Sequence, residues 1–290
     1  MSDYIIVTDS NADLTPELVE ALDITLIPME FQIDEKIYYN HPDGREMGFS
    51  DFYNLLRQGK VATTAQINFI RYTEIFEPIL KAGKDLLYIC FSSGLSGSYN
   101  SALAAAQGLR ESYPDRKIVV TDSLSASMGE GLLVYLAVQE KKKGKAIEEV
   151  EQWLMDNRCK LCHWFTVDDL NHLKRGGRVS AASAFVGTML NIKPVLHVDN
   201  EGHLIPMEKV RGRRKSLDAL VEHMAQTAID PQKQVIFVSH GDCPEDAAYV
   251  AGQVKERFGV QELYINFIGP VIGSHSGPGT VALFFLGTER

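Results

Sequence analysis

The segment that most limits how this chain can fold is residues 86–109, where an apolar run empties into hydroxyls and glycines and then into an alanine-rich stretch. Leu86-Leu87-Tyr88-Ile89-Cys90-Phe91 predicts a buried strand, Ser92 to Ser98 a loop, and Tyr99 to Leu109 a helix. An all-apolar strand leading into a helix is the unit of a parallel sheet covered on both faces. In such sheets ligands sit beyond the carboxyl ends of the strands, which is where this loop lies. Its glycines allow close backbone approach, its serines offer hydrogen-bond donors, and the helix N-terminus favours negative charge. No Lys, Asp or Glu interrupts it. The loop suits a small anionic group, a carboxylate or phosphate oxygen, held by neutral donors. The plainer alternative is that Ser98 caps a helix and the other serines fill a turn.

Three phosphate or nucleophile motifs are excluded by spacing. A P-loop needs Gly-Lys-Ser/Thr, and the loop has no lysine. Gly94 and Gly97 are spaced G-x-x-G rather than G-x-G-x-x-G. In Gly94-Leu95-Ser96-Gly97-Ser98 the second glycine falls one place early for the hydrolase elbow G-x-S-x-G.

The rest of the chain predicts two domains, a length of 290 residues being comfortable for two cores. In residues 1–157, strands (Tyr4 to Thr8, Thr25 to Phe31, Lys117 to Thr121) alternate with helices (from Leu14, Ile70 to Ala82, Met128 to Lys143, Ala146 to Asn157), which predicts a doubly wound, mostly parallel sheet. Lys36 to Gly48 is polar and turn-rich, and Ser50 is placed to cap a helix reaching Gln58. Residues 158–290 predict a smaller α/β domain with a mixed sheet. Lys193 to Val198 and His203 to Lys209 flank the turn Asp199–Gly202, Val235 to Ser239 precedes a helix from Pro244 to Phe258, and Leu263 to Ile268 and Val281 to Leu286 bracket a glycine-rich segment around His275. That segment has too many glycines, and a proline, to be regular structure. Asp9 and Asp122 read as Asx turns at strand ends, and Asp242 as a helix cap beside His240, for which a functional role and simply filling the turn both stay open.

Cys159-Lys160-Leu161-Cys162-His163 spells a haem-attachment motif, but its alternating pattern reads as a strand, whose two cysteines are not placed to serve one haem or metal. The net charge of −9 argues against non-specific nucleic-acid binding. Met1 to Tyr4 leads straight into a strand without a signal-like segment, and no apolar run is long enough to span a bilayer, so a cytoplasmic protein is expected.

Six ordered segments resemble the DegV family of bacterial fatty-acid-binding proteins, which includes the FakB subunits of fatty acid kinase. They are VTDSNADL (from Val7), SSGLSGSYNSA (from Ser92), VTDSLSASMGEG (from Val120), DDLNHLKRGGRVS (Asp168 to Ser180), LNIKPVLHV (from Leu190) and GPVIGSHSGPGTVAL (from Gly269). One stretch departs: the family's P-T-T-S-Q-P stands here as Ala62-Thr63-Thr64-Ala65-Gln66-Ile67. The resemblance implies a DegV-like fold and a long-chain fatty acid whose carboxylate lies near the domain junction while its tail fills an apolar tunnel. The implied head-group set is Thr63, Thr64, Ser93, Ser96, the Gly97 N–H and His275. It further implies no catalytic residues, cofactor or metal, and a separate ATP-binding kinase subunit as partner, with transient contact at a membrane surface. From the basic run Lys209 to Lys215, Arg211 and Arg213, with Arg178, are expected to dock that kinase. The competing class is a lipid or ester hydrolase using Ser96 or Ser93, His275 and Asp122 or Asp9. A nucleotide-binding enzyme would need phosphate lysines and metal carboxylates in motifs that the chain lacks.

Overall fold

In the computed structural model, which describes residues 4–179 and 191–290, strand β1 (Tyr4–Asp9) is flanked by parallel neighbours on both sides. Met1 to Asp3, Ser180 and Leu190, on which parts of the sequence reading fall, lie outside the described residues. β1 pairs with β2 (Thr25–Ile27) on one side and β6 (Asp85–Cys90) on the other, and β6 pairs with β7 (Ile118–Asp122). Every residue of β6 is buried, the expected fate of an all-apolar strand between helical layers. The order β2-β1-β6-β7 means that the winding reverses between β1 and β6, and a crevice opens there beyond the strand ends. The accompanying helices are α1 (Pro16–Leu22), α3 (Phe69–Lys81), α4 (Ser98–Ser112), α5 (Met128–Lys142) and α6 (Ile147–Asn157).

A three-stranded antiparallel sheet, β3 (Met29–Ile33), β4 (Lys36–Asn40) and β5 (Ala62–Thr64), is inserted before α3 and corrects two expectations. The run Thr25 to Phe31 is not one strand, because Pro28, which has no N–H to give a ladder, separates β2 from β3. The polar stretch after it is not all turn: Asp34 and Glu35 both take left-handed φ (50° and 63°), making a two-residue hairpin turn into β4. Helix α2 (Phe49–Arg57) is capped by Gly48 rather than Ser50, whose hydroxyl donates instead to Asp242 Oδ1 at 2.9 Å.

The mixed sheet has the order β10-β9-β8-β13-β11-β12, formed by β8 (Leu161–Thr166), β9 (Ile192–Val198), β10 (Leu204–Arg211), β11 (Val235–His240), β12 (Glu262–Phe267) and β13 (Val281–Leu286). Only β11 and β12 pair in parallel. With six strands against four it is the larger sheet, although it comes from the shorter stretch of chain. Helices α8 (Arg213–Thr227) and α9 (Pro244–Phe258) share one core with Cys162, Trp164 and Phe285, while Phe165, Leu196, Ala282 and Phe284 share another with α5. Cys162 and His163 thus face opposite sides of β8, and Cys159 precedes the strand in a short turn. The short helix α7 (Asn171–Gly176) follows β8.

The segment around His275 is helical, contrary to the composition argument: α10 runs Pro270–Ser276. Pro270 stands at its first position, where no N–H is needed. Its glycine serves close packing rather than irregularity, since a Cβ on Gly273 would lie 2.6 Å from the Tyr53 hydroxyl. Asp242 does not cap α9 either. It ion-pairs with Arg57, and His240 Nδ1 takes the Cys243 N–H at 3.2 Å. Among the described residues no helix is long and apolar enough to cross a membrane.

Candidate functional site

Two Asx turns shape the strand ends that border the crevice. Asp9 Oδ1 accepts from Asn11 N at 3.0 Å, and Asp122 Oδ1 from Leu124 N at 3.0 Å and Ser93 N at 3.1 Å. The serine loop is pressed against the β9–β10 turn: Ser92 Oγ donates to Gly202 O at 2.9 Å, and a Cβ on Gly94 would lie 2.7 Å from Glu201 O. Between these loops, the inner face of the mixed sheet and α10 lies a cavity of about 310 Å³. Buried Met29, Phe91, Phe165, Val198, Ala282 and Phe284 line its interior. Its outer part is polar, formed by Thr64, Gln66, Ser96, Gly97, Arg178 and His275.

The outer part is a set of donors. Thr64 Oγ1 lies 2.9 Å from His275 Nε2. Burial, and then the charge of Arg178, push the His275 pKa down to about 4, so the imidazole is neutral at pH 7. His275 Nδ1 is buried without a partner among the described residues. With the ring proton on Nε2, His275 donates to Thr64, whose own hydroxyl proton is then free for a ligand. Ser96 Oγ accepts from Ser98 N at 3.2 Å and lies 3.0 Å from Ser98 Oγ; with Ser98 donating, the Ser96 proton is free as well. Gly97 caps α4 and stands close to the end of the Gln66 side chain, whose Oε1 would lie 2.0 Å from a Cβ there. Deeper in, His163 accepts from Ala126 N at 3.3 Å through Nε2 and donates to Leu161 O at 3.1 Å through Nδ1. Burial holds its pKa well below the usual value, so it too is neutral.

The structure therefore brings together Thr64, Ser96, Gly97 and His275, and leaves out Thr63 and Ser93. Thr63 is exposed and lies outside the cavity wall because neighbours in β5 point to opposite faces. Ser93 is exposed too; its backbone N–H is the part that is used. Of the three arginines expected to dock a partner, Arg178 is half-buried and lines the cavity. Arg213 is tied to Asp246 at 2.7 Å and Asp168 at 3.6 Å, so it is not a free surface charge. Arg211, at the end of β10, is exposed. Sequence reasoning missed Gln66 and His163 as wall residues. Gln66 stood inside a quoted motif, and the strand pattern of β8 already put His163 on the face opposite Cys162.

The hydrolase arrangement is not assembled. The hydroxyl bonded to His275 is that of Thr64, not Ser93 or Ser96, and neither Asp122 nor Asp9 reaches Nδ1. Asp9 is instead held by Tyr88 Oη at 2.8 Å and Phe91 N at 3.3 Å. Asp13 ties the starts of α5 and α10 to β12, accepting from Ser127 Oγ at 2.6 Å and Gly269 N at 2.9 Å while its carbonyl takes Asn266 Nδ2 at 2.8 Å. Burial pushes its pKa up to about 8.

Comparison with known proteins agrees with this geometry. Residues 4–288 match the family described as uncharacterised protein, DegV family. A DegV domain-containing protein of Clostridium perfringens is 46% identical over 290 residues, covering 100% of this chain and 99% of that one. A fatty-acid-binding DegV family protein from Thermus thermophilus superposes with a TM-score of 0.88 at 29% identity, covering 99% of this chain and 100% of that one. DegV, a fatty acid binding protein from Bacillus subtilis, gives 0.84 at 29% identity over 99% of this chain and 100% of its own.

Proposed function

The chain belongs to the DegV family, and from that premise we propose that it binds a long-chain fatty acid, with the carboxylate at Thr64, Ser96, the Gly97 N–H and His275 and the acyl tail in the apolar interior. The observation that carries this is the cavity itself, mostly apolar within, with the neutral donors Thr64, Ser96, the Gly97 N–H and His275 grouped at its outer part beside Arg178. Burying a carboxylate is costly unless it is hydrogen-bonded, and those donors bond it without competing for its charge. The tail supplies affinity: at about 0.8 kcal/mol per methylene a long chain gains on the order of 10 kcal/mol gross, against several for association. Similar solved proteins, in Thermus thermophilus and Bacillus subtilis, are described as binding fatty acids.

On the same reading the protein is a non-catalytic, FakB-type subunit of a fatty acid kinase, working in the cytoplasm. It holds the acid at the junction of units 1–157 and 158–290 and presents the carboxylate to a separate kinase subunit, giving acyl-phosphate for phospholipid synthesis. Denaturing extraction of purified protein followed by lipid mass spectrometry tests the core of this. About one fatty acid per chain is expected; no acid, together with steady turnover of short-chain esters, would replace the carrier by a hydrolase.

A further inference from the structure

A line of four hydroxyls runs from the outer cavity into the buried core and ends on a carboxyl group. Ser96 Oγ lies 3.0 Å from Ser98 Oγ, and the Ser98 side chain bonds the Tyr72 phenol. Tyr72 Oη lies 2.9 Å from Tyr88 Oη, which lies 2.8 Å from Asp9 Oδ2. Ser98, Tyr72, Tyr88 and Asp9 are fully buried, and of the five residues Ser96 is the one that lines the cavity. α4, α3, β6 and β1 supply the four buried members, so the line exists only in the folded chain. Each hydroxyl carries one proton, which gives the line two directions, and the carboxyl group at its end selects between them.

An ionised Asp9 only accepts. Tyr88 then donates to it, Tyr72 to Tyr88, Ser98 to Tyr72 and Ser96 to Ser98, so the Ser96 proton is drawn inward and a lone pair faces the cavity. A protonated Asp9 donates to Tyr88, every hydroxyl turns round, and Ser98 donates to Ser96, whose proton is free for a ligand. Ser98 Oγ accepts from Ile67 N at 3.2 Å in either direction. A bound carboxylate needs a donor at Ser96, so it favours the second arrangement. The titratable groups facing Asp9 are Tyr88 and Cys90 on β6, Tyr72 on α3, Asp13 just beyond β1 and Glu130 on α5. All are acids and bring no counter-charge. Burial raises the Asp9 pKa, opposed by the bonds from Tyr88, Asn11 and Phe91. We propose that Asp9, acting through Tyr88, Tyr72 and Ser98, is the positioning residue that turns the Ser96 hydroxyl toward the ligand, so that binding a carboxylate is coupled to uptake of one proton by Asp9. The proton comes from solvent and forms an O–H bond at Asp9 Oδ2; the hydroxyls rotate and keep their own protons, and the ligand stays ionised. This rests on the reading of the cavity as a fatty acid site and adds to it what orients one of its donors.

Calorimetric titration of the delipidated full chain with palmitate, in buffers of different ionisation enthalpy between about pH 6 and pH 9, counts the protons taken up. Uptake is expected to rise with pH toward about one per palmitate bound, and affinity to fall by up to about tenfold per pH unit where uptake is complete. Tyr88→Phe cuts the line and leaves Tyr72 free to donate outward whatever the state of Asp9. It should abolish the uptake and flatten the pH profile, a change that loss of packing alone would not produce. Ser98→Ala, a smaller change, makes the cut at the other end and should do the same if the tyrosine variant does not fold. No uptake by the wild type overturns the proposal. Uptake that persists in either variant does so too, since Asp13 or Glu130 would then be its source. Failure of palmitate to bind at any pH would overturn the fatty acid reading itself, an outcome distinct from binding without a proton.

Discussion

Thr63 and Thr64 are adjacent in sequence and face different surroundings, one in solvent and one against His275. Thr64→Ala and Ser96→Ala are each expected to weaken palmitate binding by about 1–3 kcal/mol, because each leaves a desolvated carboxylate short of a donor. Thr63→Ala should change it by less than about 0.5 kcal/mol, as surface substitutions do. Calorimetric titration of the three variants separates them, and an equal loss at Thr63 would mean that β5 presents its other face to the ligand. Asp13 carries a second prediction. Its folded pKa of about 8 lies above the unfolded carboxylate value, so the folded state holds a proton that the unfolded state has released. Its contribution to stability is fully present below the unfolded value and is lost as pH rises through the folded one. Asp13→Asn, which mimics the protonated form, should therefore gain on the wild type between pH 5 and pH 8 by on the order of 1–3 kcal/mol. Denaturant melts at the two pH values measure it, and a difference independent of pH would refute the assignment.

At the scale of elements, the serine loop holds its shape because another element covers it. Gly202, at φ +80° in the β9–β10 turn, has no room for a Cβ, which would lie 2.1 Å from Ser92 Oγ and 3.2 Å from Leu124 Cα. Gly144, at φ +90°, has nothing within 4 Å. Gly144→Ala should then cost only the left-handed strain, about 1 kcal/mol, while Gly202→Ala should cost that plus the displacement of the loop, about 2–4 kcal/mol in all, and weaken palmitate binding as well. Thermal melts of both, with palmitate titration, decide it; equal costs would show that the hairpin does not brace the loop. The strand, loop and helix of residues 86–109 were legible because periodicity and composition are local. The hairpin at Asp199–Gly202 was legible too, but not its docking onto Ser92 and Gly94, which are about a hundred residues away. Helix α10 was illegible for a related reason: its glycine is explained by Tyr53, not by its neighbours.

At the scale of the molecule, the proposed carrier role requires a surface for a partner, and the basic run from the end of β10 into α8 is divided. Arg213 belongs to an internal ion-pair network with Asp246 and Asp168, while Arg211 stays exposed at the end of β10. Arg211→Glu is expected to slow acyl-phosphate formation in a reconstituted assay with the kinase subunit by at least about tenfold at low salt, where screening is weakest. Palmitate affinity should be retained, since Arg211 does not line the cavity. Unchanged phosphorylation would place the docking surface elsewhere. Arg213→Glu should act differently, lowering stability by setting a third acidic group against Asp246 and Asp168.

What the sequence determined by itself was whatever depends on near neighbours: the alternation of strands and helices, the antiparallel hairpin, the turns at Asp9 and Asp122, and the strand, loop and helix of residues 86–109. Hydrogen-bond ladders and side-chain periodicity act over a few residues, so a one-dimensional pattern records them. Which hydroxyls line the cavity, and which arginine does, were decided only by tertiary structure. Thr63 and Thr64 are chemically alike, as are Arg178 and Arg211. They are told apart by contacts with chain far away in sequence, Thr64 with His275 and Arg178 with Leu95, and burial against such distant partners leaves no local signature.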